Sequence, residues 1–346
     1  MAIHLDIKKD FGDFCLDLRL QADNEVMGLL GASGCGKSMT LKCIAGVEKP
    51  DDGHIILDDK VLFDSKKHIN LVPQERRVGF LFQNYALFPQ MTVRDNIRMG
   101  ARREKNAALK KKKVEELMER FEITALANRY PSQISGGQQQ RTALARILVS
   151  DPEILLLDEP FSALDTHLRF RLERELREVA RNFGKTVFLV THDRDEAFRL
   201  VDKIAIMNQG RIEVCGDKAD VFHNPSTQQA AILTGCKNIS GFVAADSGKI
   251  QATDWGITLN VSRDTTGFDH IGIRMHDIFY GNGPNATPFV VLEEIENPFS
   301  YTIIVRAKSS ATASPLGWEA DKTLWQSVRA SEIMLHIPPE NIMLLH

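Results

Sequence analysis

This 346-residue chain has no long hydrophobic run. Nowhere do eighteen apolar residues follow one another, and the N-terminal stretch MAIHLDIKKDF carries charges throughout. Neither a membrane-spanning helix nor a secretory signal is therefore expected. The five cysteines are scattered, with no C-x-x-C spacing, which predicts neither a zinc site nor a disulfide framework. These absences favour a reducing, cytoplasmic location.

An excess of charge of either sign is also lacking. Lys and Arg number 43 against 46 Asp and Glu, a formal net charge of −3 that does not favour a nucleic-acid partner. The basic run Lys110–Lys113 is interpreted as the solvated face of an amphipathic helix, because Val114, Leu117 and Phe121 recur at helical spacing. The length and the 43% apolar content predict a globular protein of two domains.

The first informative stretch is GASGCGKS, Gly31 to Ser38, which fits the pattern G-x-x-x-x-G-K-[ST]. The glycines of this pattern let backbone N–H groups turn toward phosphate oxygens, and the following helix adds its positive N-terminal end. The apolar EVMGLL before it and a helical pattern closed by Gly46 after it supply the strand–loop–helix context. We expect Lys37 to reach the β- and γ-phosphates and the Ser38 hydroxyl to ligate Mg²⁺.

A pair of carboxylates follows a second apolar run, in EILLLDEPFSALD. Ile154–Leu157 has the composition of a buried parallel strand, and Asp158 and Glu159 come at its carboxyl end. We expect Asp158 to hold Mg²⁺ through water. We expect Glu159 to orient and deprotonate an attacking water, since phosphoryl transfer depends on positioning and charge stabilisation.

A second glycine-containing helix start lies in QISGGQQQRTALARIL, Gln133 to Leu148. Helix N-termini attract anions, and one nucleotide does not need two such cradles. The pair therefore suggests that ATP is sandwiched between the Gly31–Ser38 loop of one copy and the Ser135-Gly136-Gly137 turn of another.

Two further polar residues come at the ends of apolar strands. Gln83 follows VGFLF, and His192 follows TVFLVT. A lone histidine is more often structural than catalytic, but the carboxyl ends of parallel strands are where such folds bind ligands. Both interpretations of His192 stay open at this point.

In this order, GASGCGKS, FLFQNYALFP, ISGGQQQR, ILLLDEP, SALD and THD resemble the Walker A, Q-loop, signature, Walker B, D-loop and H-loop motifs of ATP-binding cassette (ABC) ATPases. The resemblance covers about the first two-thirds of the chain. It implies an α/β fold with a P-loop, RecA-like core, a parallel sheet and a helical insert, and a head-to-tail homodimer that closes on two ATP molecules. Two positions depart from the family pattern, Ile134 for leucine and Met39 for threonine, and neither supplies a ligand side chain.

The resemblance also implies roles for individual residues. Glu159, His192 and Gln83 are the expected catalytic residues, with Gln83 near the metal and the attacking water and His192 at the γ-phosphate. Asp165 is expected to communicate between the two sites, and Ser38, Gln83 and Asp158 are expected to hold Mg²⁺. The expected ATP-binding residues, of which the signature group acts on the partner copy's nucleotide, are Gly31, Ala32, Ser33, Gly34, Cys35, Gly36, Lys37, Ser38, Met39, Ser135, Gly136, Gly137 and Gln138.

The aromatic residue that stacks on adenine is sought in KKDFGDFCLDL. Phe14 continues an alternating strand pattern with Leu16 and Leu18 and is interpreted as core. Phe11, in a charged loop beside Gly12, is therefore the predicted adenine contact, although simple packing would explain either ring.

Two domains are predicted from the composition along the chain. Residues 1–237 form the nucleotide-binding domain, with the helical insert at about 89–144. From about Asn238, segments such as GITLNV, FVVLEEI and YTIIVRA lie between Gly, Asn, Pro and Ser clusters, which predicts a small all-β domain over 238–346. Its position behind the ATPase resembles the OB-like (TOBE-type) regulatory domain of the importer branch of the family.

Two functions are compared, an importer subunit and a soluble cassette protein of translation or DNA repair. Translation members carry two cassettes and repair members a long coiled-coil insertion, and this sequence has neither. An importer ATPase at the cytoplasmic face of the cell membrane is therefore predicted. Tyr85, Leu87, Phe88 and Met91 are expected to form an apolar dock for a permease helix, and an extracytoplasmic solute-binding protein is the indirect partner.

The cargo is inferred from resemblance alone. Stretches such as LGASGCGKSMTLKCIAG and LTGCKNIS look closest to molybdate and sulfate importer ATPases, and molybdate is favoured. The tail does not show the doubled oxyanion-binding module of some molybdate members. Sulfate is therefore the alternative, followed by polyamine or sugar.

Overall fold

The computed structural model describes residues 2–162, 166–245 and 248–346, without the side chains of residues 166–168. The chain forms two compact units, Met1–Lys218 and Ala219–His346. The strands that precede residue 218 are β1 (Ala2–Asp10), β2 (Cys15–Asp23), β3 (Val26–Gly31), β4 (Asp52–Leu57), β5 (Lys60–Asp64), β6 (Ile69–Asn70), β7 (Val78–Leu81), β8 (Ile154–Asp158), β9 (Val187–Thr191), β10 (Lys203–Asn208) and β11 (Arg211–Asp217). The helices among them are α1 (Lys37–Ala45), α2 (Val93–Gly100), α3 (Ala107–Arg120), α4 (Gly136–Leu148), α5 (Thr166–Phe183) and α6 (Arg194–Leu200).

The first unit is built on a mostly parallel sheet of order β11-β10-β3-β9-β8-β7 and an antiparallel sheet of order β2-β1-β4-β5-β6. In the first sheet, the edge strand β11 pairs antiparallel with β10, and the other pairs are parallel. Strands β3, β8 and β9 are buried along their whole length, as continuous apolar runs in a parallel sheet should be. The predicted parallel sheet is therefore present.

The carboxyl ends of neighbouring parallel strands lie at one edge of this sheet, where ligands bind in α/β folds. Strand β3 leads into the Gly31–Ser38 loop, and β7 is followed within two residues by Gln83. Strand β8 ends at Asp158, directly before Glu159, and β9 ends directly before His192. The sheet order β3-β9-β8-β7 thus assembles the motifs that are far apart in the sequence.

Between β7 and β8 the chain forms α2, α3 and α4, the predicted helical insert. Asn106 caps α3 by accepting two backbone N–H groups, as an N-cap asparagine commonly does. Val114 and Met118 are the buried residues of α3, while Lys111 and Lys112 are exposed. This helix is amphipathic, and its basic run lies on the solvent side.

The second unit contains two five-stranded antiparallel sheets, with the orders β14-β13-β12-β15-β21 and β16-β20-β17-β18-β19. Its strands are β12 (Asn238–Ala245), β13 (Lys249–Ala252), β14 (Ile257–Asn260), β15 (His270–Ile273), β16 (Phe279–Tyr280), β17 (Thr287–Glu296), β18 (Ser300–Ala307), β19 (Leu316–Asp321), β20 (Glu332–His336) and β21 (Met343–Leu345). The remaining helices are α7 (Lys218–His223), α8 (Gln228–Leu233) and α9 (Lys322–Val328). The predicted boundary at 237/238 falls between α8 and β12.

The core of the second unit contains Trp255, Trp318 and Trp325. The rings of Trp318 and Trp325 meet edge to face with their centroids 5.9 Å apart, a favourable geometry for aromatic pairs. In the part of the chain that the structure describes, no helix has both the length and the hydrophobicity needed to cross a membrane.

Candidate functional site

The loop between β3 and α1 requires glycine at two positions. Gly34 has a φ of +81° and Gly36 one of +106°, in the left-handed region that side chains disfavour. A Cβ atom at Gly36 would also lie 2.9 Å from Phe14 Cζ and 2.9 Å from Leu16 Cδ1. Helix α1 begins at Lys37 without a capping side chain, so its first N–H groups face no side-chain acceptor from the cap residue.

The Lys37 side chain lies inside this loop. Its Nζ donates to the carbonyl oxygens of Gly31 and Ala32 at 2.8 Å each and lies 3.6 Å from Cys35 Sγ. The side chain is buried, so these carbonyl dipoles replace water around the ammonium group. A phosphate oxygen would be a stronger partner for this charge than a neutral carbonyl, because charge-assisted hydrogen bonds are the stronger ones.

The Ser38 hydroxyl and the Asp158 carboxylate meet at the start of α1. Ser38 Oγ donates to Asp158 Oδ1 at 2.7 Å. Burial raises the pKa of Asp158, the Ser38 hydrogen bond opposes this shift, and the Glu159 carboxylate raises the pKa further. A hydroxyl and a carboxylate are hard oxygen ligands of the kind Mg²⁺ takes, and a cation beside this buried carboxylate would offset its desolvation. The residues present fit the predicted Mg²⁺.

Glu159 lies between the ends of β7 and β9. Its Oε2 accepts a hydrogen bond from Gln83 Nε2 at 3.4 Å, and its Oε1 lies 3.3 Å from His192 Nδ1. Glu159 has a φ of +44°, an uncommon backbone conformation for a residue other than glycine that recurs at functional sites. The structure thus brings the three predicted catalytic residues together, whereas Asp165 lies outside the described residues.

In the signature turn, Ser135-Gly136-Gly137, the capping groups of the helix are hydrogen-bonded to each other. Ser135 Oγ accepts the Gln138 N–H at 3.4 Å, and Gln138 Oε1 accepts the Ser135 N–H at 2.9 Å, which is a capping box at the start of α4. Gly136 and Gly137 form the first helical positions. Among the hydrogen bonds of the described residues, none joins this turn to the Gly31–Ser38 loop.

A cavity of about 630 Å³ opens beside the glycine loop. Phe14, Arg211 and Glu213 line it together with Ala32–Cys35. Phe11 is not one of its lining residues, but its ring lies 6.0 Å from that of Phe14 in a stacked arrangement. Phe14, interpreted from the sequence as core, packs against the core of the first unit and also lines this cavity. Phe11 as the adenine contact stays a prediction.

The structure differs from the predicted permease dock at one residue. Phe88 is 41% exposed and Leu87 and Met91 are half-buried, but Tyr85 is only 4% exposed. The Tyr85 hydroxyl donates to the Pro160 carbonyl at 3.4 Å, and burial raises the pKa of Tyr85 to about 12. The prediction is wrong for Tyr85, because its ring anchors the segment to the loop after β8 instead of facing solvent.

Two polar side chains that the sequence analysis did not identify form hydrogen bonds with the backbone of the segment 85–91. Arg146 of α4 donates to the Tyr85 carbonyl at 2.8 Å, and its guanidinium carbon lies 5.5 Å from the centre of the Phe88 ring. Asn96 of α2 is buried, donates to the carbonyls of Phe88 and Met91 at 3.1 Å each, and accepts the Phe88 N–H at 2.8 Å. The segment is therefore pre-organised by α2 and α4.

Known proteins resemble this chain in sequence and in fold. The family model for ABC transporters matches residues 16–162. The chain is 37% identical over 344 residues to the sulfate/thiosulfate import ATP-binding protein CysA 1 of Shewanella oneidensis, an alignment that covers 94% of this chain and 86% of that protein. The chain belongs to the ABC transporter family. It is an importer-type ABC ATPase, and the predicted family, the predicted fold class and the predicted ATP hydrolysis coupled to transport are confirmed.

Other relatives resemble this ABC ATPase over a shorter span. The spermidine/putrescine import ATP-binding protein PotA of Bacillus cereus is 42% identical over 246 residues, which cover 69% of this chain and 73% of that protein. Among solved structures, the ATP-binding cassette MJ0796, a dimer in a post-hydrolysis state with ADP and Pi, is 29% identical with a TM-score of 0.54. That match covers 63% of this chain and 99% of the solved chain.

Proposed function

We propose that this ABC ATPase drives the import of a tetrahedral oxyanion through a membrane permease, from the cytoplasmic face of the cell membrane. The observation that supports ATP hydrolysis at this site is the convergence of Gln83, Glu159 and His192 beside the pair formed by Ser38 and Asp158. A general base, its partners and a site for a metal-bound phosphate are the parts that phosphoryl transfer to water requires.

Each residue of this group has a proposed role. Lys37 exchanges its carbonyl partners for the β- and γ-phosphate oxygens, and Ser38, Asp158 and Gln83 would hold Mg²⁺. When bound, Mg²⁺ supplies positive charge that neutralises the phosphates. Glu159 accepts a proton from the attacking water. His192, whose Nδ1 lies 3.3 Å from Glu159 Oε1, orients the Glu159 carboxylate and contacts the γ-phosphate.

A second copy of the chain completes each site in this proposal. No hydrogen bond among the described residues joins the Ser135 turn to the Gly31–Ser38 loop, and the glycines and helix start of the turn suit an anion. A head-to-tail dimer would place the turn of one copy against the nucleotide of the other. The dimeric arrangement of the solved relative MJ0796 supports this proposal.

The permease is proposed to dock on Leu87, Phe88 and Met91, with Tyr85 now excluded. Phe88 presents the most exposed large apolar side chain of this segment, and Arg146 and Asn96 fix its backbone. An apolar surface whose backbone is held by hydrogen bonds suits a short helix of a membrane partner.

The cargo is proposed from the extent of the similarity. The relative that aligns over 94% of this chain, the second unit included, is named for sulfate and thiosulfate, so these anions come first and molybdate, favoured by sequence resemblance, comes next. Polyamine import is the second candidate, since the spermidine/putrescine relative has the higher identity, 42%, although over only 69% of the chain.

The test is solute-stimulated ATP hydrolysis in vesicles. The ATPase is reconstituted with its permease and solute-binding protein, and phosphate release is measured with sulfate, thiosulfate, molybdate or spermidine outside. We expect stimulation by sulfate or thiosulfate and none in vesicles that contain the Glu159→Gln variant. Stimulation by spermidine alone would contradict the oxyanion proposal and support the polyamine candidate.

A further inference from the structure

A cluster of buried and half-buried polar groups lies next to His192. Thr191, the last residue of β9, donates from Oγ1 to Glu196 Oε2 and accepts the Asp193 N–H at 3.0 Å. Asp193 caps α6, because its Oδ1 accepts the N–H groups of Asp195 at 2.9 Å and Glu196 at 3.1 Å. Both neighbours of His192 in the chain are thereby fixed.

Arg169 of α5 holds this cluster together. Its Nη2 lies 2.6 Å from Asp193 Oδ2 and 2.5 Å from Glu196 Oε1, and its Nε lies 3.5 Å from Glu173 Oε1. Glu196 and Glu173 are only 3% and 5% exposed. One guanidinium group is therefore shared by three carboxylates, which belong to α5, to α6 and to the N-cap of α6.

Electrostatics make this arrangement sensitive to the loss of Arg169. Burial raises the pKa of Glu196, and the nearby Asp193 carboxylate raises it further, against the opposing effects of Thr191 and Arg169. Burial also opposes ionisation of Asp193, yet the Glu196 N–H and the Arg169 guanidinium hold the pKa of Asp193 below its usual value. Without Arg169 the buried Glu196 carboxylate and the half-buried Asp193 carboxylate would lose their shared cation and repel each other, since Arg199 donates to Glu173 instead, and this destabilises that local geometry.

The side chain of His192 has little restraint of its own. It is 58% exposed, so its distance of 3.3 Å from Glu159 depends on the backbone that carries it. Only this one residue separates the end of β9 from the cap of α6. A movement of Asp193 away from Glu196 would therefore turn the imidazole.

We propose that Arg169 is a positioning residue for ATP hydrolysis, which acts through His192 by holding Asp193 and Glu196 together. The inference rests on the proposed role of His192 beside Glu159 and the γ-phosphate. Displacement of a reacting group by about 1 Å can reduce a rate by about 100-fold, so we expect the loss of Arg169 to act on kcat and not on nucleotide affinity.

A double-mutant cycle tests this inference on the full-length protein. Arg169→Met, His192→Ala and the double variant are compared by single-turnover hydrolysis of ATP, which resolves slow rates. We expect Arg169→Met to lower the rate by about 10- to 100-fold, with the Kd for ATP changed less than about twofold. In the His192→Ala background it should cause no further loss, because residues that act as a unit are not additive.

The matched control is Arg171→Met. Arg171 lies two residues further along α5, is 57% exposed, and pairs with Glu175 and Glu122 instead of the His192 cluster. We expect its rate to stay within about twofold of the wild type, since surface ion pairs contribute little. A second readout uses ¹³C-labelled histidine, with the His192 resonance assigned by its loss in His192→Ala. That resonance should shift in Arg169→Met and stay in place in Arg171→Met.

The outcomes separate the inference from the proposed function. If Arg169→Met lowers the rate by the same factor with and without His192, or leaves the His192 resonance unmoved, the inference is wrong. If Arg169→Met does not fold, Arg169→Gln, which also removes the cation but keeps a side-chain hydrogen-bond donor, carries the same expectations. If the wild-type protein does not hydrolyse ATP, or if His192→Ala hydrolyses it at the wild-type rate, the proposed function of the site fails instead.

Discussion

Helices α1 and α4 both have glycine at or beside their first residue, but the N–H groups of their first turns are capped in opposite ways. At α4, Ser135 and Gln138 satisfy each other through two hydrogen bonds between side chain and backbone. At α1, the cap residue is Gly36, in a left-handed conformation and without a side chain that could cap the helix. The start of α4 adds to the stability of the fold, whereas the start of α1 is left available to an anion.

The charges around the two turns differ in the same sense. Beside α1, the Lys37 ammonium is buried against carbonyl oxygens, and burial raises the pKa of Asp158. Beside α4, the capping groups are neutral and hydrogen-bonded to each other. Proteins often lose stability at their binding sites. The buried Asp158 carboxylate at the N-terminus of α1 is such a case, because its charge is unfavourable there. The comparison therefore predicts that substitutions at the start of α1 alter function more than stability. Substitutions of Ser135 should alter both stability and function.

The largest effect is expected from Glu159→Gln, on the α1 side of the comparison. Turnover should fall by roughly two to four orders of magnitude, because the general base is lost. ATP binding should persist, since Lys37, Ser38 and Asp158 are untouched. Rates of phosphate release and the Kd for a fluorescent ATP analogue check the two statements separately. Hydrolysis at the wild-type rate would remove Glu159 from the mechanism.

The next effect tests whether the two turns meet across a dimer. Lys37→Ala and Ser135→Arg are each combined with Glu159→Gln, and the two proteins are mixed. In a head-to-tail dimer, one site of each mixed dimer collects both lesions and the other has an intact Lys37 and an intact Ser135. We expect the mixture to trap about one ATP per mixed dimer, because the second cradle stabilises the phosphate charge.

Each variant alone is the control for this mixing experiment and should trap little nucleotide. If the motifs acted within one chain, every site of the mixed dimer would carry one lesion. Trapping no higher in the mixture than in the separate variants would therefore end the shared-site proposal and the interpretation of Ser135-Gly136-Gly137 as a cradle.

Parts of the site could be predicted from the sequence because they depend on contiguous spacing. The Gly31–Ser38 loop and the pair Asp158 and Glu159 each follow an apolar run, and the end of a parallel strand fixes where they lie. Gln83 and His192 follow from the same rule. What the rule could not supply is the distance between residues on different strands, which depends on the sheet order.

Other features could not be predicted because they depend on side-chain direction. Tyr85 lies in an apolar surface segment, but its backbone has a φ of +59°, and its ring is buried below the segment. Arg146 and Asn96 look like ordinary polar residues of amphipathic helices until the segment that they hold is seen. A pattern of apolar and polar residues contains no information on such long-range hydrogen bonds.

The fold also has parts that could be predicted from the sequence and parts that could not. Continuous apolar runs predicted the parallel sheet of the first unit. In the second unit, alternation predicted strands, but pairings such as that of β15 with β21 join residues about 70 positions apart and have no local signal. Helix α9, which Asp321 caps between two strands, was also missed within the predicted β region.

A smaller effect is expected from Ser135→Ala, which removes the side-chain cap of α4. Loss of an N-cap serine costs about 1 kcal/mol, which corresponds to a decrease of about 2–4 °C in Tm for a protein unit of this size. Thermal unfolding of the nucleotide-free protein measures it. Ser132→Ala, at an exposed serine three residues earlier, is the control and should leave Tm unchanged. An unchanged Tm in Ser135→Ala would show that the capping box contributes nothing.

The smallest effect, of opposite sign, is expected from Asp158→Asn. Because burial raises the pKa of Asp158, the folded protein binds a proton there more tightly than the unfolded chain does. The free energy of unfolding therefore falls as pH rises from the unfolded pKa through the folded one, and the whole penalty is present at neutral pH. Asparagine removes the charge and keeps an oxygen that can accept from Ser38 Oγ, so the nucleotide-free variant should have a Tm about 1–3 °C higher at pH 7.

The pH dependence separates this electrostatic cause from a packing effect. The difference in Tm between Asp158→Asn and the wild type should shrink as pH is lowered to below the ordinary pKa of an aspartate, where Asp158 is protonated in both states. Asp151→Asn is the control, because Asp151 is 89% exposed and should show no such difference. A lower Tm for Asp158→Asn at pH 7, or a difference that does not change with pH, would contradict the view that the start of α1 gives up stability for function. A higher Tm there beside a lower one in Ser135→Ala would show that the two helix starts contribute to the fold with opposite signs.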